Sequence, residues 1–203
     1  MRASTMITEL RIEGFKSFGT PEQVLPLGHL NFIVGANASG KTNLISALRF
    51  LQNAVSQNAE FAVNDLGGIA EVRNKIMRER EQAKPVKLGL KMSFLDDVIR
   101  FKSGKDNELR FQSFSYTLTL DLRNPSGLPE VVSENLIAEI QDEKGEKHKY
   151  QLKRDESLVQ ILDPTDTQGT LPHKIKVPKE ESTRLALGVG FFSPPCVILR
   201  HII

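Results

Sequence analysis

The hydrophobic pattern of the first sixty residues predicts two strands followed by a helix. The stretch ITELRIEGF alternates, with Leu10 and Ile12 on one face and charged residues on the other, as expected for a half-buried strand. GHLNFIVG is nearly continuous in apolar residues from Leu30 to Val34, which predicts a strand covered on both faces. From about Thr42 to Val55 apolar residues recur every three or four positions, so an amphipathic helix should follow.

Later in the chain the hydrophobic period changes to two. VKLGLKMSFLDD and SFSYTLTLDLRN both alternate, and NLIAEIQDEKGEKHKYQLKRD pairs two apolar runs across a Lys144-Gly145 turn. These segments predict an antiparallel meander with one face in water, distinct from the N-terminal segment. Residues 56–84 are more polar and predict a loop with a short helix, while residues 163–178 are rich in turn formers.

Three regions follow from this pattern. Residues 1–60 form a strand–strand–loop–helix core, and residues 61–162 form a linker and an antiparallel β lobe. Residues 163–203 are expected to be an exposed connection and the start of a helical or apolar segment.

Composition narrows the class of protein only slightly. The 203 residues carry a net charge of +2, which predicts no strong field toward nucleic acid or a membrane. The single cysteine, Cys196, excludes an internal disulfide framework. No secretory signal is visible, and glycines, prolines and Arg200 interrupt the apolar C-terminal stretch LALGVGFFSPPCVILRHII. We therefore expect a cytoplasmic protein with no membrane partner.

The segment GANASGKT, Gly35 to Thr42, carries the clearest chemistry. It fills every fixed position of G-x-x-x-x-G-K-[ST], between a predicted strand and a predicted helix. Such a loop binds nucleotide phosphates with its backbone amides and with the positive end of the helix. Lys41 is expected to reach the β- and γ-phosphates, and Thr42 to offer its hydroxyl to Mg²⁺.

An acid that orients magnesium and water should accompany this loop. The candidates are Asp96 and Asp97, at the end of MSFLDD. Polar residues interleave with the apolar ones in that strand, whereas a strand flanked by helices on both faces should be apolar throughout. Asp121, in LTLDL, has the same pattern and no second acid beside it. The catalytic acid is therefore not identified by the sequence.

With these features placed, RIEGFKSFGTPEQVLPLGHLNFIVGANASGKTNLISALRFL resembles the opening of ABC-type ATPases related to RecF and the SMC proteins. Asn37 and Asn43 match the finer pattern G-x-N-x-S-G-K-[ST]-N of that group. LGGIAEVRNK and YTLTLDLRNPSGLPEVVSENL look like the β-rich lobe of the OLD-like "predicted ATPase" branch. The resemblance implies an α/β phosphate-loop NTPase fold, a head lobe with a mixed sheet around the helix and an antiparallel β-rich subdomain.

The same resemblance implies a function. It implies ATP and Mg²⁺ as ligands, held by the run from Gly35 through Ala36, Asn37, Ala38, Ser39, Gly40, Lys41 and Thr42 to Asn43. By matching position, Lys16 and Ser17 would lie near the base or phosphates. It also implies a homodimer formed through the nucleotide sites, with DNA as a partner by analogy. DNA repair, chromosome maintenance or phage defence would be the setting.

The sequence also departs from that group. It shows no L-S-G-G-[QE]-like segment and no apolar strand that ends in Asp-Glu. We expect either the N-terminal lobe of a longer ATPase or a truncated product. Two alternatives stay open: a non-catalytic nucleotide-binding or inert fragment, and a compact ATPase that uses Asp96 and Asp97.

Overall fold

The computed structural model describes residues 5–78, 85–94, 100–103, 107–123, 127–142, 144–162 and 174–177. Two strands, then helices, then further strands follow one another along this part of the chain. The elements are β1 (Thr5–Glu13), β2 (Gln23–Pro26), α1 (Lys41–Ser56), α2 (Ala59–Asp65), α3 (Ile69–Val72), α4 (Lys75–Arg78), β3 (Val86–Phe94), β4 (Arg100–Ser103), β5 (Asn107–Asp121), β6 (Glu130–Gln141), β7 (Lys147–Asp155), β8 (Leu158–Leu162) and β9 (Lys174–Lys176). None of the described helices is long and apolar enough to cross a membrane.

The strands form one continuous sheet in the order β2-β1-β3-β5-β6-β7-β8-β9, with β4 paired to β5. The predicted meander is confirmed, since each strand from β5 to β9 pairs with the next in an antiparallel register. The predicted hairpin is confirmed too: β6 and β7 pair from Ser133 opposite Asp155 to Gln141 opposite Lys147. Gly145 turns between them with a φ of 84°.

The N-terminal strands belong to this same sheet. β1 pairs antiparallel with β3, placing Leu10 opposite Leu90 and Ile12 opposite Leu88. The meander therefore continues from the N-terminal strands instead of standing apart from them. Every pairing between the described strands is antiparallel, so a parallel component of the expected mixed sheet is not among them.

The prediction of a buried strand from Leu30 to Val34 is wrong. Residues 31–36 are not in a strand, and the exposed fractions of Phe32 and Val34 are 83% and 92%. The physical reason is that β2 ends at Pro26 at one end of the sheet, where β1 is its only described neighbour. A turn closed by Asn31, whose side chain bonds both backbone groups of Gly28, follows it. No described strand or layer covers this segment.

Helix α1 packs its apolar side against one face of the sheet, which confirms the predicted amphipathic helix. Phe50 and Leu51 are fully buried, and the Phe50 ring meets the Phe15 ring edge-on at a centroid distance of 5.8 Å. Leu10 and Ile12 of β1 belong to the same core, as the alternation predicted. Phe15 stands just after β1, so this contact fixes the β1–β2 turn beside α1.

The other strands place polar groups inside the core. Glu134 of β6 and Arg154 of β7 are directly opposite each other and almost completely buried. Their charged atoms, Arg154 Nη1 and Glu134 Oε2, are 3.6 Å apart. The buried Tyr116 hydroxyl donates a hydrogen bond of 2.9 Å to Glu134 Oε1. Burying a charge is costly unless it is paired and hydrogen-bonded, so removing any one of Glu134, Arg154 and Tyr116 should destabilise the fold.

Candidate nucleotide-binding site

The GANASGKT segment forms a tight loop at the beginning of α1. Gly40 precedes the helix with φ 94°, in the left-handed region that favours glycine, and Ala38 has φ 65°. The Ser39 amide donates to the Ala36 carbonyl over 3.3 Å, and the Asn43 amide donates to the Gly40 carbonyl over 3.0 Å. The loop is thus folded back on itself before the helix starts.

At the start of α1 the amides of Lys41 and Thr42 are available to an anion, whereas that of Asn43 donates to the Gly40 carbonyl. Gly40 supplies no side-chain cap, and the first turn holds no acidic residue. Amides at the start of a helix lack acceptors within the helix and carry partial positive charge. Residues 35–39 and Thr42 are exposed, so a phosphate can approach from solvent. The local chemistry therefore favours an anionic ligand.

The Lys41 side chain stabilises the loop through hydrogen bonds to its backbone. Its Nζ donates to the Gly35 carbonyl over 2.7 Å and to the Ala36 carbonyl over 2.6 Å. A third contact, to Ser39 Oγ, measures 3.5 Å and is at the outer limit of a hydrogen bond. An ammonium group has three donors, so two tie the loop together and the third can turn to a phosphate oxygen.

The turn between β1 and β2 lies against this loop. The Asn43 side-chain amide donates a hydrogen bond of 2.8 Å to Ser17 Oγ. A Cβ placed on Gly40 would stand 2.8 Å from the same oxygen, so the Ser17 hydroxyl would have to move to admit a side chain there. Lys16 has φ 49°, and its amide donates to the Val72 carbonyl over 2.7 Å. The structure therefore places Ser17 against the loop, with Lys16 preceding it in the same turn.

Two cavities flank the loop. The first, of about 400 Å³, is lined mainly by polar and charged side chains: Lys16, Ser17, Asn43, Glu71, Arg73, Asn74, Lys75 and Ile76. The second, of about 500 Å³, lies beside Gly35, Ser39 and Lys41 and includes the exposed apolar segment with Phe32 and Val34. The loop thus separates a charged cavity from a more apolar one.

The other predicted site residues lie as follows. Asn37 is exposed on the loop, and Thr42 is exposed in the first turn of α1. Asp96 and Asp97, the candidate acids, lie outside the described residues. Asp121 is described, and Arg123 holds its carboxylate over 2.6 Å and 2.8 Å, so it is committed to an ion pair.

The α3–α4 segment supplies cavity residues that sequence reasoning did not single out as site residues. Glu71, Arg73, Asn74 and Lys75 are more than 25 positions beyond the loop, and no spacing rule connects them to it. The segment LGGIAEVRNK, which contains these residues, indicated a family resemblance but did not place them near the loop. Their placement depends on backbone hydrogen bonds to the β1–β2 turn, which a hydrophobic pattern does not reveal.

A second cluster of possible ligands lies far along the chain, in the β6–β7 turn. Donor atoms of Asp142, Glu146 and His148 all lie within 4.8 Å of one another. His148 Nε2 is 3.1 Å from Asp142 Oδ2, and the imidazole lowers the pKa of that carboxyl. Asp142 Oδ1 also accepts the amides of Lys144 and Glu146. These hydrogen bonds close the β6–β7 hairpin, and they explain why the three side chains lie together.

Fold and loop together define a protein built around a phosphate-binding loop. The chain belongs to the AAA ATPase domain family, which matches residues 6–187. At the level of this family it is an ATP-binding ATPase domain. Among curated proteins, none matches the chain. One solved structure, from work on "ATP-driven dimerization and DNA stimulated activation of SMC ATPases", is similar at 16% identity and a TM-score of 0.37, over 97% of this chain and 91% of that one.

Proposed function

We propose that residues 35–43 bind the phosphates of Mg-ATP and that the chain is the N-terminal lobe of a RecF/SMC-like ABC-type ATPase. The observation that carries the proposal is the position of the Lys41 ammonium beside Gly35 and Ala36, in a loop that leads into a helix with no side-chain cap at its N-terminus. Membership in the AAA ATPase domain family supports the same interpretation.

Each loop residue has a distinct role in this proposal. The amides from Asn37 to Lys41 orient the phosphates, with that of Ser39 exchanging its bond to the Ala36 carbonyl for a phosphate oxygen. The Lys41 ammonium neutralises the phosphate charge. The Thr42 hydroxyl is an oxygen ligand, the kind that Mg²⁺ prefers, and it is exposed beside Lys41. When bound, the magnesium ion would screen the charge between phosphate oxygens. The absence of an acid from the first turn suits such a cluster of phosphates.

Hydrolysis needs an acid that this part of the protein does not place at the loop. Of the described residues that line the two cavities, Glu71 alone carries a carboxylate, and it is in the cavity away from Lys41. In our proposal the acid and the L-S-G-G-[QE]-like segment come from outside this chain. Dimerisation around two nucleotides, DNA as a partner and a role in repair, chromosome maintenance or phage defence rest on resemblance alone.

Titration calorimetry with Mg-ATP tests the binding proposal. We expect weak binding by the chain, with the heat removed by Lys41→Ala. Lys153→Ala, which changes an exposed lysine on β7, is the matched control and should bind as the unchanged chain does. Equal heats from all three proteins, or none from the unchanged chain, would favour an inert or purely structural loop.

A steady-state phosphate-release assay separates binding from turnover. We expect negligible hydrolysis by the purified chain. Robust hydrolysis that Lys41→Ala abolishes would instead support a compact ATPase. In that case Asp96→Asn and Asp97→Asn decide whether either residue supplies the acid, because an unchanged rate in both variants would rule out the pair.

A further inference from the structure

The apolar segment that precedes the phosphate loop has no cover among the described residues. Leu30 and Phe32 are 73% and 83% exposed, and Ile33 and Val34 are exposed as well. Binding of phosphate by the loop gives these side chains no role, because they come before Gly35. Contiguous exposed apolar surface commonly marks a contact with another element or molecule. The segment therefore calls for a second apolar element that covers it.

The backbone of this segment is unpaired too. Residues 31–36 belong to no helix or strand, and the backbone groups of Phe32, Ile33 and Val34 make no hydrogen bond to a described residue. Unpaired amides and carbonyls are a template for pairing with another strand. Apolar side chains on both faces are typical of a strand inside a sheet. What the segment lacks is a neighbouring strand.

Residues 196–199 of the same chain have a sequence that suits this neighbour, and they lie outside the described residues. They read Cys-Val-Ile-Leu, with Pro194-Pro195 before them and Arg200 after them. Val197 and Ile198 are β-branched, which favours a strand, and proline is tolerated where a strand begins. Four consecutive apolar side chains require cover on both faces, as the exposed segment does.

The connecting chain is long enough to bring the two segments together. β9 and β2 are at opposite ends of the strand order. At about 4.8 Å between neighbouring strands, the sheet between them is roughly 34 Å wide. The connection, residues 178–195, spans up to about 60 Å when extended. A tethered segment also acts at an effective concentration on the order of millimolar, which favours it over a second copy in dilute solution.

We propose that residues 196–199 form a strand that pairs with residues 31–34 and covers their apolar side chains. The partner of the exposed segment is thus another segment of the same chain. Because Val34 is followed directly by Gly35, the pairing anchors the first residue of the phosphate loop. The proposal does not depend on whether the loop binds a nucleotide.

Disulfide cross-linking in the full chain tests the pairing, because Cys196 is its single cysteine. Phe32→Cys, Ile33→Cys and Val34→Cys each add a second thiol. Mild oxidation joins thiols whose Cα atoms are about 4.4–6.8 Å apart, a separation that neighbouring strands provide. Successive side chains of a strand point to opposite faces, so we expect intramolecular cross-links at position 33 alone or at 32 and 34 alone. Repeating the scan with Ile198→Cys and Cys196→Ser covers registers displaced by two residues.

Two exposed positions outside the segment serve as controls for the cross-linking. Ile45, on α1, is 63% exposed, and Leu162 is exposed on β8, which pairs with β9. A loose C-terminal segment would meet Leu162 at least as readily as Phe32, because the connecting chain leaves the sheet from β9. We expect no cross-link from Ile45→Cys or Leu162→Cys.

The reactivity of the Cys196 thiol gives an independent measurement. Pairing limits access to this thiol, so dithionitrobenzoate should label it slowly in the unchanged chain. Val34→Asp and Ile198→Asp each place a carboxylate in the covered surface, and should raise the labelling rate about tenfold or more. Ile45→Asp should leave the rate unchanged. Thermal melting checks the fold of every variant, and the cysteine scan decides should Val34→Asp not fold.

The possible results separate this pairing from other covers. Intramolecular cross-links confined to one face of residues 32–34, with both controls unlinked, support it. Cross-links at every position indicate a loose segment, and their absence from both scans places residues 196–199 elsewhere, so either result overturns the proposal. Cross-links between two chains overturn it in favour of a second copy. These measurements contain no nucleotide, so their failure leaves the phosphate-binding proposal standing.

Discussion

Asn43, in the first turn of α1, donates its side-chain amide to Ser17 Oγ over 2.8 Å, joining residues 26 positions apart in the chain. A double-mutant cycle measures what this bond contributes. Ser17→Ala, Asn43→Ala and the double variant should give a coupling free energy of about 0.5–1.5 kcal/mol in urea unfolding. The bond also orients the loop, so each single variant should bind Mg-ATP more weakly. Simple additivity of the two changes would show that the bond is energetically silent.

Gly40 is the position in the loop least tolerant of a side chain. Gly40→Ala should destabilise the chain by about 1–2 kcal/mol because φ is 94°, and by more because the new Cβ would meet Ser17 Oγ at 2.8 Å. Chemical denaturation of Gly40→Ala, compared with the unchanged chain, measures this loss.

Removing the Ser17 hydroxyl provides the rescue. Gly40→Ala combined with Ser17→Ala should recover part of the lost stability, because the nearest remaining atom, Ser17 Cβ, is 3.8 Å away. A double variant no more stable than Gly40→Ala would mean that the contact with Ser17 is relieved by small movements.

The buried pair of Glu134 and Arg154 predicts a large and asymmetric effect on folding. Arg154→Met leaves a carboxylate buried without its charge partner, and should lower the free energy of unfolding by about 3–5 kcal/mol. Glu134→Gln combined with Arg154→Met removes both charges while keeping an acceptor for the Tyr116 hydroxyl, and should recover most of that loss. Urea unfolding measures each variant, with Glu139→Gln on the exposed side of β6 as the control. A double variant no more stable than Arg154→Met would contradict the pairing.

Asp121 and Arg123 predict an acid-dependent contribution to stability. Hydrogen bonds from the Arg123 guanidinium lower the pKa of the Asp121 carboxyl below its usual value. The folded protein thus releases this proton more readily than the unfolded chain. The stabilisation is complete above the unfolded pKa of about 3.9, and it is lost as the pH falls through the lower folded value.

Arg123→Ala tests the sign of this linkage. At neutral pH the variant should be less stable than the unchanged chain, and the difference should disappear in acid below the folded pKa of Asp121. An NMR titration of the Asp121 carboxyl should show its pKa rising in the variant. Arg110→Ala, on an exposed position of β5, should do neither. A difference that stays constant through the acid range would point to packing.

The alternation of apolar and polar residues predicted the strands well, because successive side chains of a strand point to opposite faces of the sheet. In β1, β5, β6 and β7 one of these faces lies in the core. The glycine-rich turn before α1 was predictable from its spacing, since the pattern places Gly40 where the backbone has a positive φ. The segment from Leu30 to Val34 was mispredicted because a run of apolar residues indicates that a segment suits a buried strand. It does not show whether neighbouring strands or helices are there to cover it. The α3–α4 segment was missed because it is positioned by hydrogen bonds between residues far apart in the chain, such as Asn74 Nδ2 to the Lys16 carbonyl, which no periodicity reveals.

The bonds from Lys41 to the Gly35 and Ala36 carbonyls change how its removal should be interpreted. Without the ammonium, two carbonyls lose their donor, and the empty loop itself reorganises before any nucleotide arrives. A drop in affinity for Lys41→Ala will therefore combine a lost attraction for phosphate with the cost of rebuilding the loop. Comparing tripolyphosphate with monophosphate can separate them, because the attraction grows with ligand charge and the rebuilding cost is common to both. Lys41 would thus both attract the phosphates and hold the loop in the shape that binds them.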